Sequence, residues 1–209
     1  MRAVDERFPG HELDRDVWFP YYLPHWSSRT ASEATYAVRD GELHLTVPPE
    51  QPLWCPDLHE GPLRVSCVQT GSFSGPVGSA VGQQPFTDGL VVREEQPAFR
   101  GWTPEHGRVR VRMRGVVDEA SMVAFWMSGF EDRPERSGEI CVAEIFGDAV
   151  RPGSAAVGMG VKAFRDPLQL MIGVFDFPAR AAGLAPGFFP GLVVSSVRGE
   201  TGQPSTRAM

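Results

Sequence analysis

Lysine is almost absent from this chain: Lys162 is the single exception among 20 basic residues, the rest being arginine, and this bias carries no functional signal. No block of basic residues exists and the net charge is −6, so a surface built to neutralise phosphates is excluded and nucleic acid is not expected as a partner. No stretch approaches the roughly 18 consecutive apolar residues that would cross a bilayer, so no membrane association is expected. The opening segment, residues 1–16, is charged where a secretory signal needs an apolar centre, which as written predicts a cytoplasmic protein. Cysteine is scarce and odd in number, with Cys55, Cys67 and Cys141 lacking CxxC spacing, so neither a disulfide framework nor a zinc site is indicated. Cys55 and Cys67 read either as two reduced, partly buried thiols or, in an exported protein, as a bridge. His11, His25, His44, His59 and His106 are scattered without ligand spacing and read as surface or loop residues, so no metal is expected.

What the chain does have is 23 glycines and 19 prolines spread along 209 residues. They leave no window in which a long helix could grow, which predicts short strands joined by many turns. Residues 34–47 alternate apolar and polar side chains on both sides of Asp40-Gly41, the signal of a β-hairpin. From Pro48 to Pro85 the chain reads as a long decorated loop containing one strand-like run, Leu63 to Val68. Arg108 to Arg114 alternates strictly, placing arginines on one face and Val109, Val111 and Met113 on the other, as in a half-solvated antiparallel strand. Met122–Met127, Ile140–Phe146 and Leu168–Phe177 are apolar runs of strand length and should be central. The whole is expected to be one all-β domain over residues 1–200, two antiparallel sheets stacked as a sandwich, with a frayed tail at 201–209.

The informative segment is Glu139-Ile-Cys-Val-Ala-Glu144, where two glutamates interrupt an apolar strand. Two glutamates five apart ordinarily occupy a solvated face. Here Ile140, Val142, Ile145 and Phe146 imply a buried strand, in which carboxylates are costly unless they have a use. On a regular strand Glu139 and Cys141 share a face and Glu144 points the other way. A single bulge near Val142-Ala143 would bring Glu144 back to the face of the other two. Leaning together across a concave sheet, the carboxyl groups could then approach the roughly 5–5.5 Å that retaining glycosidases use.

That segment resembles the glutamate-x-aspartate-x-x-glutamate signature of glycoside hydrolase family 16, which includes laminarinases, lichenases, agarases and carrageenases. Flanking segments agree in order: His106 to Arg114 is similar to the family's Tyr-Gly-Arg strand, Ala124-Phe-Trp126 to its Pro-Ala-Phe-Trp strand, and Leu192 to Arg198 to its closing strand. The resemblance implies a concanavalin A-like jelly-roll sandwich and retaining hydrolysis of a β-linked polysaccharide, a β-glucan or galactan, without a cofactor. It also implies an extracellular alternative for the location. On it, Glu139 is the nucleophile, Glu144 the general acid/base and Trp126 a sugar-contacting floor.

Two departures accompany the likeness. Cys141 stands where the family has aspartate, putting a weak thiol donor beside the nucleophile. After Arg165-Asp166-Pro167 the chain passes directly to Leu168, without the family's further stretch containing a His-x-Tyr strand and a Trp-Pro hairpin, which predicts open strand edges. These departures support two rivals to an active enzyme: a catalytically impaired carbohydrate-binding module on the same fold, and a shortened paralogue without a stable fold. Among the loop aromatics Trp18, Tyr21, Tyr22, Trp26, Trp54 and Trp102, exposed rings could stack on sugars; Trp102 and Trp26, with His25 beside the latter, are the further substrate-binding candidates. Gly158-Met-Gly160 is only a partial dinucleotide fingerprint with no helix after it.

Overall fold

The computed structural model describes residues 3–105, 107–133, 137–162, 168–177 and 191–200. The expected tail at 201–209, His106 and the junction at 165–167 lie outside the described residues. The strands run in chain order as β1 (Val4–Glu6), β2 (Thr35–Arg39), β3 (Glu42–Thr46), β4 (Arg64–Gln69), β5 (Gly71–Ser72), β6 (Phe99–Arg100), β7 (Arg108–Val116), β8 (Ser121–Gly129), β9 (Glu139–Phe146), β10 (Val150–Arg151), β11 (Ser154–Ala155), β12 (Gly158–Lys162), β13 (Leu168–Asp176) and β14 (Gly191–Glu200). Among the described residues helix is confined to single turns, the longest Arg29–Ser32, as the spread of glycine and proline leads one to expect. No described helix is long and apolar enough to cross a membrane.

Two five-stranded antiparallel sheets form the sandwich. In the first, β14 pairs with β7 on one side and with β3 and β1 on the other, and β2 closes the edge. The second has the order β12-β9-β8-β13-β4, so the three apolar runs are internal strands, as their composition predicts. The β2–β3 hairpin turns at Asp40-Gly41, with φ of 56° and 71°. Both values are left-handed, the conformation of a two-residue turn matching the twist of its strands.

Alternation divides β8 and β13 of the second sheet between two apolar layers. Val123 and Phe125 of β8 and Leu170, Ile172 and Val174 of β13 face the first sheet, where they meet Leu43, Leu45, Leu192, Val194 and Val197. The intervening residues Met122, Ala124 and Trp126, with Met171 and Phe175, face the other way into a second cluster roofed by loops carrying Leu23, Trp26, Trp54 and Leu90. Burial on both faces explains why β8 and β13 read as continuously apolar. Strand β9, expected from its apolar residues to be buried, is instead half-buried to exposed along its length, with Val142 36% and Phe146 37% exposed, because among the described residues it lies one strand from the bare edge of the sheet. On β7 the alternation survives: Val109, Val111 and Met113 pack against the inter-sheet core and the arginines are exposed. Among the described residues the outer edge of β12 has no strand partner, and Met159 and Val161 on it stand 76% and 73% exposed.

Candidate functional site

The face of the second sheet that turns away from the first carries the candidate site, and register decides what it presents. Across the β8–β9 ladder Phe125 opposes Ala143 and Trp126 opposes Cys141, leaving Val142 as one extra residue on β9. The same irregularity appears on the other flank, where Gly158 opposes Glu144 and Gly160 opposes Cys141. This is a β-bulge at the position the spacing of the two glutamates requires. Its effect is plain from the partners: Glu144 lies opposite Ala124, Cys141 opposite Trp126 and Glu139 opposite Ser128. Residues directly opposite share a face, so the three side chains stand in a row on the side away from the inter-sheet core.

A cleft of about 440 Å³ lies over that row. Glu139, Glu144 and Trp126 line it, while Cys141 lies beside both glutamates in a shallower depression against β12. Gly158 borders this depression beside Glu144, and a Cβ there would make only ordinary contacts, with the Glu144 Cβ at 3.4 Å and Oε2 at 3.5 Å. Cys141 is a partly exposed thiol outside any disulfide, whereas Cys55 and Cys67, also outside any disulfide, are fully buried. Burial pushes the Cys55 thiol up to about 11 and raises that of Cys67 further, so both are inert thiols rather than a bridge.

The loops supply the rest of the wall. Tyr22 reaches over the sheet with its ring edge-on to Trp54 at 5.0 Å, to Phe175 at 5.4 Å and to Trp126 at 6.4 Å. Burial holds its phenol far above the ordinary tyrosine range, and the negative charges of Glu139 and Glu144 add to the effect. Tyr22 therefore stays a neutral hydroxyl in the cleft that the two carboxylates line. Trp54, His59 and Phe86 form a second aromatic group on the rim, with centroids 5.0 to 6.0 Å apart.

Three sequence expectations require correction. Trp102 does not reach the cleft: it is 3% exposed in the core between the sheets, where a Cβ on Gly199 would lie 2.1 Å from its ring. Trp26 is fully buried, and its indole N–H donates to the Gln83 carbonyl at 2.8 Å. His25, expected at the surface and as a substrate contact, is also fully buried, with Nε2 3.0 Å from the same carbonyl. Desolvation lowers its pKa to about 4, the hydrogen bond to Gln83 acting weakly in the opposite direction, so the ring is neutral and Nε2 is the donor. Both residues anchor a loop behind the cleft. Residues 82–86 of that loop, with Glu131, were not singled out from the sequence, because nothing in their local pattern marks them. Among the described residues no group of three or more His, Cys, Asp or Glu could hold a metal ion.

Neither a family model nor a curated relative matches this sequence. Solved structures do match in fold. A GlcNAcα1-4Gal releasing endo-β-galactosidase from Clostridium perfringens superposes with a TM-score of 0.68 at 18% identity, over 95% of this chain and 61% of that one. This chain thus spans about three fifths of that neighbour's length. The catalytic domain of an endo-1,3-β-glucanase (laminarinase) from Thermotoga petrophila gives 0.56 at 13% identity, over 97% and 98% of the two chains. A non-specific endo-β-1,3(4)-glucanase of glycoside hydrolase family 16 gives 0.56 at 14%, over 95% and 90%. The jelly-roll sandwich is therefore of the kind seen in that family.

Proposed function

We propose that this protein is a retaining endo-acting glycoside hydrolase of a β-linked polysaccharide. One observation carries the reading: the bulge at Val142, which ranges Glu139, Cys141 and Glu144 along one face beside the Trp126 ring. A strand spends a bulge where side chains must be re-aimed, and a cleft with two carboxylates and an aromatic floor fits a sugar ring and its glycosidic oxygen. The fold neighbours, enzymes named for cleaving β-glucans and a β-galactoside linkage, support the same substrate class.

In the first step a Glu139 carboxylate oxygen attacks the anomeric carbon while Glu144 gives its proton to the leaving glycosidic oxygen. The C–O bond to the leaving sugar breaks and a glycosyl ester forms on Glu139. In the second, Glu144 takes a proton from water as that water attacks the anomeric carbon, and the ester bond returns its electron pair to Glu139. The neutral Tyr22 hydroxyl shares the cleft with the carboxylates, and Trp126, 5% exposed, adds a small apolar surface to its wall.

Reducing-sugar release from laminarin, mixed-linkage β-glucan, agarose and β-galactan tests the reading, with Glu139→Gln as control. Turnover by the wild type should fall on the order of 10³-fold or more in the variant; turnover that survives the substitution would sink the assignment. Cys141 favours a second reading, a binding module on the same fold, because a thiol is a poor hydrogen-bond donor to a nucleophilic carboxylate. Saturable oligosaccharide binding without any release of sugar would select it.

A further inference from the structure

Gln84 is held in an unusual way. Its backbone φ is 47°, in the left-handed region that L-residues avoid, and its N–H donates at 2.8 Å to Oε2 of Glu131, a buried residue that is itself left-handed at 57°. Immediately before it, the Gln83 carbonyl accepts from both His25 Nε2 and Trp26 Nε1, and Gln83 Oε1 accepts from the Phe73 N–H at 3.1 Å. One residue earlier, a Cβ on Gly82 would lie 2.6 Å from the His25 ring and 2.8 Å from that of Trp26, so the chain passes too close for any larger residue. Two adjacent glutamines are thus pinned by partners 10, 47, 57 and 58 residues away. Strain of this kind persists only where the surroundings over-determine it, and it concentrates at functional sites.

The clamp delivers the Gln84 side chain to the cleft. Gln84 and Glu131 line the cleft together with both carboxylates, and Gln84 Oε1 faces the Trp126 indole N–H at 3.5 Å. That contact is too long to be strong, but it orients the amide with its oxygen toward the indole. The Nε2 end then has no hydrogen-bond partner among the described residues, on a half-exposed side chain that lines the cleft beside the Trp126 indole.

Resting on the glycosidase reading, we infer that Gln84 is a specificity-determining residue, its side-chain NH2 donating to a hydroxyl of the sugar bound in the cleft that Gln84 lines with Glu139 and Glu144. Glu131, His25 and Trp26 are positioning residues for it and touch no substrate. An amide built to satisfy one hydroxyl discriminates against a sugar that lacks or inverts it, because the donor would then be left unpaired.

Gln84→Gly tests this cleanly, since glycine suits the backbone and deletes only the side chain. Steady-state rates on laminarin, mixed-linkage β-glucan, agarose and β-galactan would be read beside a thermal melt and beside titration of laminari- and galacto-oligosaccharides into Glu139→Gln. The variant should melt no lower than the wild type, lose about tenfold in kcat/KM mainly through KM, and lose discrimination among the panel. Should the glycine variant melt early, Gln84→Asn carries the test: it tolerates the same φ, withdraws the amide by one methylene and should show the same loss. Wild-type turnover with unchanged kcat/KM and unchanged substrate ratios in both variants overturns this inference alone. A wild-type protein with neither turnover nor binding on the panel overturns the glycosidase reading and this inference with it.

Discussion

His25 shows what one buried side chain does to the behaviour of the whole chain. Its folded pKa of about 4 lies below the ordinary value of 6.5, so between those limits the unfolded chain takes up a proton that the native ring refuses. The stability this contributes is fully present above pH 6.5 and is lost as pH falls toward 4, on the order of 3 kcal/mol in total. Urea melts at pH 7 and pH 4 should therefore show a larger loss for the wild type than for His25→Gln, whose amide can still donate to Gln83. Equal losses in the two proteins would show that His25 is not the group responsible. The same ring had every local mark of a loop histidine. Its burial is decided by Gln83, 58 residues away, and no spacing within residues 20–30 could signal it.

Strand β9 is the element on which the reading turns. The apolar setting of Glu139 and Glu144 and the odd spacing between them were legible in the sequence, and parity alone implies a bulge near Val142. The observed register has that bulge. Deleting Val142 alone should remove the bulge without turning Glu144 over, because the two glutamates then stand an even number of positions apart and Glu144 stays opposite Ala124. Deleting Val142 and Ala143 together makes the separation odd on a straight strand and should turn Glu144 toward the inter-sheet layer, opposite Phe125, while Glu139 stays beside Ser128. The expected outcome is a loss of turnover in the double deletion as deep as that of Glu144→Gln, on the order of 10³-fold, with far-ultraviolet circular dichroism still that of a β protein. Near-wild-type activity in the double deletion would mean that the face on which Glu144 stands does not matter. The loops contrast with β9. Tyr22, Trp26 and Trp54 lie in similar proline-punctuated loop sequence, yet Trp26 is sealed against Gln83 while Tyr22 and Trp54 reach the cleft. Their local patterns are alike, and only the fold separates them.

On the scale of the molecule, the two sheets and the loop roof confine each other. Trp102 wedges against the first sheet so closely that Gly199 of β14 has no room for a methyl group. Gly199→Ala should cost several kcal/mol, roughly 2–4, and lower the melting temperature by on the order of 10 °C. A melt within 2 °C of wild type would show that the ring can move aside. The all-β class, the Asp40-Gly41 hairpin, the half-solvated β7 and the central strands β8, β9 and β13 were determined by the sequence alone. Alternation, turn residues and apolar runs are short-range properties, and each acts on the strand that carries it. Which aromatic rings close the core and which border the cleft, and the clamp that presents Gln84 beside Trp126, were decided only by tertiary structure. Those outcomes depend on contacts between segments dozens of residues apart, and a side chain's local sequence does not encode the partner that buries it.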